Sequence, residues 1–216
     1  MGNEDKNNMK WRRLNIILIV DDKSRVKVLD LASKIGFADE EVFHIDDKKY
    51  FIHITVYSPE FSEGNIPKII EVVEKISKGI SKFDLPVVGL NAGDKSVIID
   101  FERTDIVVKI HETIVNALNQ FRNGKIREKH LNEIKEGRYN KEQEEMIRKY
   151  GYPNVLKLYH PHLSLGRLIS EEAAEKAVNN LNSTNGLKVV KIVRMGISEM
   201  GPSGTCTNII REFDLK

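Results

Sequence analysis

The sequence predicts an α+β fold made of two copies of one β-α-β-β unit, and three observations carry that reading. Short apolar or alternating stretches with strand character are separated by stretches with helical spacing. The order motif strand, helix, strand, Gly-containing turn, strand occurs twice along 216 residues. Three landmarks recur at a nearly constant offset: His53 and His162 lie 109 apart (162 − 53), Gly89 and Gly196 107 apart (196 − 89), and Gly93 and Gly201 108 apart (201 − 93). Two such units packed about a pseudo-twofold axis make two pseudo-symmetric lobes with a central cleft.

The elements follow in order. Residues 1–10 read as a loose polar tail and 11–216 as a single bilobal domain. Leu14–Val20 is a buried strand. Ser24 is placed to cap a helix over Arg25–Ile35, with Gly36 as its stop. Tyr50–Ser58 is a strand ended by Pro59. Pro67 opens a helix whose Ile69, Ile70, Val73, Ile76 and Ile80 form an apolar stripe. Phe83–Leu90 and Ser96–Glu102 are strands joined by Asn91-Ala92-Gly93-Asp94. Thr104 caps a helix carrying Ile106, Val107, Ile110, Ile114 and Leu118. Residues 122–150 are dominated by charge and read as an exposed helical insertion or mobile arm between the halves. A strand then runs from near Leu156 through Leu168, Ser170 caps a helix, and strands Leu187–Glu199 and Thr205–Phe213 complete the second unit.

Composition bounds the function. Hydrophobic residues make up 40% and charged residues 31%, which is the balance of a soluble globular chain. The net charge of +2 does not advertise a long nucleic-acid groove; a small substrate or only the end of an RNA fits better. The single cysteine, Cys206, excludes an internal disulfide and a cysteine-rich zinc site, and a reducing cytoplasm is the plain reading. Leu14–Val20 is far too short to span a membrane, and the polar start has no signal-peptide core.

Two short motifs carry chemistry: His53-Ile54-Thr55-Val56 and His162-Leu163-Ser164-Leu165. In a strand, residues i and i+2 share a face. Each segment therefore presents an imidazole beside a hydroxyl, with apolar neighbours turned to the other side. Meeting across a cleft, two imidazoles can serve as base and acid in phosphodiester cleavage, because the ordinary histidine pKa of about 6.5 suits both roles. The hydroxyls can donate to phosphoryl oxygens as charge builds there. No metal or cofactor is required by this arrangement.

These paired motifs resemble the H-x-[ST]-x pairs (the HxTx motif) of the 2H phosphoesterase superfamily, which includes 2′-5′ RNA ligase-like proteins and cyclic nucleotide phosphodiesterases. The resemblance covers roughly residues 12–215 as element order. It implies two related lobes of antiparallel β-sheet flanked by helices, each contributing one histidine. It also implies that Arg167, five residues after His162, contacts the phosphate, and that His162 acts as base and His53 as acid. Strict alternation puts Arg167 on the wrong face, and a bulge or strand end at Gly166 would restore it. The second hydroxyl is Ser164 where threonine is commoner, and the 122–150 segment is long for a linker.

The reading is thus a metal-independent phosphodiesterase acting on a 2′,3′-cyclic phosphate of an RNA 3′ end or a small nucleotide. Its catalytic residues are His53 and His162, and its substrate-binding residues Thr55, Ser164, Arg167 and Tyr57. Tyr57 shares the parity of His53 and offers a face for base stacking. Phe51 has the same parity but is expected in the core. His44, His111 and His130 are read as polar surface residues. Three alternatives stand beside this one. They are a metal hydrolase built on His160-x-His162, a non-catalytic nucleotide or RNA-end binding module, and RNA 2′-5′ ligation. Neither a membrane nor an obligate protein partner is called for.

Overall fold

A computed structural model describes residues 10–35, 41–182 and 186–216. The tail at 1–9 and the expected helix stop at Gly36 lie outside the described residues. The strands are β1 (Trp11–Val20), β2 (Glu41–His44), β3 (Ile54–Tyr57), β4 (Glu60–Ser62), β5 (Phe83–Gly93), β6 (Ser96–Phe101), β7 (His162–Leu168), β8 (Val189–Met200) and β9 (Cys206–Asp214). The helices are α1 (Asp22–Ala32), α2 (Ile66–Ser77), α3 (Asp105–Leu118), α4 (Glu128–Lys135), α5 (Lys141–Tyr150) and α6 (Glu171–Asn182). The fold is α+β and every strand pair is antiparallel, in the order β2-β7-β6-β5-β8-β1-β3, with β4 on β1 and β9 on β8.

The repeated unit is present as β3-α2-β5-β6 and β7-α6-β8-β9. Each motif strand leaves its own hairpin for the other half of the sheet. The second motif strand, β7, pairs with β6 of the first unit. The first, β3, lies on β1, which pairs with β8 of the second unit. Phe83–Pro86 of β5 pairs with Val189–Ile192 of β8 and welds the halves together.

Strand β1 explains its own apolar run. Leu14, Ile16 and Leu18 enter the main core with the helices, whereas Ile17 and Ile19 pack with Cys206 and Phe51 on the opposite face. With both faces covered, alternation disappears from the sequence.

Several local expectations are corrected. The cap of α1 is Asp21, whose carboxylate accepts from the Ser24 amide at 2.8 Å. Ser24 sits in the first turn, and its Oγ accepts from the Lys191 amide. The β5–β6 connection is shorter than the four residues expected. Strand β5 continues through Gly93, and Asp94 and Lys95 turn the chain with φ of 46° and 63°, the two positive values a type I′ hairpin needs. Of Tyr50–Ser58 only Ile54–Tyr57 joins a ladder. A 3₁₀ turn at Leu156–Leu158 replaces the start of the strand expected there.

The segment 122–150 is folded rather than arm-like. It carries α4 and α5, and Met146, Ile147 and Tyr150 are buried. Arg122 is buried too and donates to the carbonyls of Lys125 and Lys149. Asn140 and Gln143 form a capping box at the start of α5, so its charged face still has a defined beginning. No helix among the described residues is long and apolar enough to cross a membrane.

Candidate active site

The cleft between the motif strands encloses about 330 Å³, and His53, Thr55, His162, Ser164 and Arg167 all line it. His53 lies one residue ahead of β3 and His162 is the first residue of β7. Each imidazole is held in the same way. Nδ1 of His53 donates to the Phe51 carbonyl at 2.9 Å, and Nδ1 of His162 donates to the His160 carbonyl at 2.9 Å. With Nδ1 committed to the carbonyl two residues back, Nε2 is the nitrogen left for the cleft.

Burial lowers the pKa of both rings below the ordinary histidine value. For His53 the hydrogen bond to Phe51 opposes that shift, and nearby His162 adds to it. For His162 the bond to His160 opposes it, and the His160 ring adds to it. An anion placed between the two imidazoles favours their protonated forms and so opposes the shift that burial causes.

A bulge follows the hydroxyl in each motif strand. Thr55 pairs with Ile17 and Tyr57 with Ile16, which leaves Val56 as the extra residue of β3. Ser164 pairs with Ile98 and Gly166 with Val97, which leaves Leu165 as the extra residue of β7. The carbonyls displaced from the ladders are recaptured: Val56 accepts from His111 Nδ1 at 2.7 Å, and Leu165 accepts from the Ile45 amide at 2.8 Å. Val56 and Leu165 are 109 apart (165 − 56), the offset of the two histidines.

The bulges decide the fates of two expected substrate-binding residues. In β7 the slip returns Arg167 to the cleft, as a bulge beside Gly166 was expected to do. Its guanidinium meets both oxygens of Asp94 at 3.3 Å. Asp94 is 89% exposed, so this pair is weak and leaves the arginine available to a phosphate. Gly166 turns into the core instead, where a Cβ would come within 2.2 Å of Ile35 Cδ1 and 2.5 Å of the Phe43 carbonyl oxygen. In β3 the slip removes Tyr57, which is a correction. Tyr57 is fully buried and packs edge-on against Phe61, and its hydroxyl donates to the Tyr150 carbonyl at 2.6 Å. It cannot stack on a base.

Other residues also find their places. His111 is fully buried rather than on the surface; it stacks on Tyr159 at 3.9 Å, and its Nε2 accepts from the Leu156 amide at 2.7 Å. His130 is buried against Tyr139, a second correction, while His44 pairs with Glu41 at an intermediate position. Phe51 packs beside Ile17 and Ile19, as expected. His160 lies outside the cleft lining, 54% exposed, with Nε2 at 3.3 Å from Asp100 and its ring 5.6 Å from that of His162. Among the described residues no group of three or more His, Cys, Asp or Glu is placed to hold a metal ion.

Three contributors were not anticipated. Asn15 on β1 is fully buried, and its Nδ2 donates to the Thr55 hydroxyl at 3.0 Å. Arg13 and Tyr152 line one wall of the cleft. The available signal was Asn15 itself, a polar residue within an apolar strand.

Residues 62–195 match the family model described as "Protein of unknown function (DUF1045)". No curated protein matches the sequence. Among solved structures, TT0787 of Thermus thermophilus superposes with a TM-score of 0.59 at 13% identity, over 94% of this chain and 97% of that one. E. coli LigT complexed with 3′-AMP gives 0.55 at 11% identity, over 96% and 99% of the two chains. A structure described as a phosphoesterase gives 0.54 at 12% identity, over 96% and 99%. At these identities the likeness is one of fold, and it is the two-lobed fold that the paired motifs imply.

Proposed function

The chain belongs to the DUF1045 family and carries the 2H phosphoesterase fold, and we propose that it is a metal-independent phosphodiesterase that opens a 2′,3′-cyclic phosphate on an RNA 3′ end or a small nucleotide. The observation that carries the reading is the pairing of His53 and His162 in one cleft with matched Nδ1–carbonyl anchors. A chance pair of histidines, one buried and one half-buried, has no reason to share that geometry. The complex of LigT with 3′-AMP supports a nucleotide as the kind of ligand this fold accepts.

In this mechanism a water molecule attacks phosphorus in line with one ribose oxygen. Nε2 of His162 takes the water's proton as the new P–O bond forms. Nε2 of His53 gives a proton to the departing ribose oxygen as the old P–O bond breaks, leaving a phosphomonoester and a hydroxyl. Thr55 and Ser164 donate to the phosphoryl oxygens, and the Arg167 guanidinium balances the charge that gathers on them. Reversal exchanges the roles of the histidines and re-forms the cyclic phosphate with loss of water, whereas ligation places a ribose hydroxyl of a second strand where the water attacks. A single buried thiol, Cys206, suits a reducing cytoplasmic setting.

The test is turnover of nucleoside 2′,3′-cyclic monophosphates by the purified protein, followed by phosphomonoester release. Binding of the cyclic nucleotide without turnover would make the cleft a sensor rather than an active site.

A further inference from the structure

Arg13 stands in the cleft wall, and among the described residues no carboxylate forms an ion pair with it, although Glu60 lies opposite it in the β1–β4 ladder. It projects from β1 two residues before Asn15, hence from the same face, roughly 7 Å along the strand. Its Nε is buried and meets no hydrogen-bond acceptor among the described residues. Burial and the neighbouring Arg127 lower its pKa to about 10, against smaller opposing effects of Tyr152 and Glu60. Glu60 is shared, since Arg127 Nε approaches its carboxylate at 3.8 Å. A partly dehydrated and unpaired guanidinium is unfavourable in the free protein. Such a group in a cleft is explained when a ligand completes the pairing.

Resting on the phosphodiesterase reading above, we propose that Arg13 binds a second phosphoryl group of the substrate, so that the preferred ligand carries phosphate on both the 3′ and the 5′ side of one ribose. The placement fits. Asn15 touches Thr55, which faces the reacting phosphate, and Arg13 lies one strand stride beyond, a distance that a ribose spans. The planar fork of arginine pairs with two phosphoryl oxygens at once. Arg127 adds positive potential at this end of the cleft, and Tyr152 closes it.

The experiment compares binding of adenosine 3′,5′-bisphosphate and adenosine 3′-monophosphate by calorimetry, in wild type and Arg13→Gln. Wild type should bind the bisphosphate at least about 10-fold more tightly, the worth of one charge-assisted contact. R13Q should erase that difference. The dinucleotide ApAp, whose second phosphate is a diester, tells an RNA end from a free nucleotide; a gain with either ligand that R13Q erases supports the subsite. Thermal unfolding guards against a folding artefact, because removing an unpaired cation should leave Tm unchanged or raise it. A wild type that binds neither the bisphosphate nor ApAp more tightly than the monophosphate overturns the proposal. So does a gain that survives R13Q, or an equal loss on both ligands with a lowered Tm. A protein that shows the gain yet turns over no cyclic phosphate keeps the subsite and sinks the proposed reaction. One that turns over cyclic phosphate with no gain keeps the reaction and sinks the subsite.

Discussion

Asn15 donates its amide to the Thr55 hydroxyl at 3.0 Å, from a strand 40 residues away in sequence. A hydroxyl that accepts from Asn15 keeps its own proton to give, and the bond aims that proton at the cleft. Asn15→Ala should therefore lower kcat about 10-fold, with a small change in KM, the scale of one oriented hydrogen bond. A double-mutant cycle with Thr55→Ala checks this. The pair should cost little more than T55A alone; strict additivity would mean that Asn15 does not act through Thr55.

Replacing His53 or His162 by alanine should each reduce kcat/KM by roughly 10²–10⁴-fold, the usual worth of a positioned acid or base. Thr55→Ala and Ser164→Ala should lose less, since each removes one phosphate donor among several. Near-wild-type rates for both histidine variants would end the mechanism.

The pH dependence follows from the lowered pKa values. Burial holds both free-enzyme histidines below about 6.5, so one must be protonated and one neutral within a window on the acid side of that value. The kcat/KM profile should be a bell with its maximum below pH 6.5. A bound phosphate favours the protonated acid, so the alkaline limb of kcat should move to higher pH. An optimum of kcat/KM above pH 7.5 would contradict this assignment.

Chelation separates the proposed reaction from the metal alternative. Hydrolysis of a 2′,3′-cyclic phosphate should survive EDTA, because acid, base and phosphate donors all come from side chains. Loss in chelator with recovery in zinc would instead favour a site at His160 and His162.

Two kinds of buried residue outside the chemistry give stability predictions. Tyr57→Phe should cost about 1–2 kcal/mol by leaving the Tyr150 carbonyl without its donor, with kcat/KM unchanged. Urea unfolding and kinetics on one preparation measure both. His111 and His130 are held neutral, their pKa values lowered to about 4 mainly by burial. The unfolded chain therefore binds more protons than the folded one between about pH 6.5 and 4. Stability from these residues is complete above that window and falls as pH drops through it, by roughly 2 kcal/mol for His111 by pH 5. A urea midpoint that is flat from pH 7 to pH 5 would refute this.

The sequence by itself determined the strand motifs, the order of the repeated unit and the face shared by His53 with Thr55 and by His162 with Ser164. These are local properties, because side chains alternate along any extended segment whatever pairs with it. Tertiary pairing decided the rest of each motif. Val56 and Leu165 are displaced from their ladders by the register of β1 and β6, and that displacement sends Tyr57 into the core and Arg167 into the cleft. Strict alternation assigns each residue to the face opposite the one it takes, because Tyr57 lies two residues and Arg167 three residues after its hydroxyl, and no local pattern signals the slip that reverses both. Asn15 reaches the cleft because β1 lies between β3 and β8, and Arg13 because the end of β1 that carries it pairs with β4, a neighbourhood set by chain crossings far from either residue. Of the two readings of the charged 122–150 segment, a helical insertion and a mobile arm, the structure has the helical one, and a helix with one narrow apolar edge needs few apolar residues: Met146, Ile147 and Tyr150 suffice for α5. Which polar groups end up dry, and which of those remain unpaired for a ligand, depends on what packs above them, and only the assembled sheet supplies that.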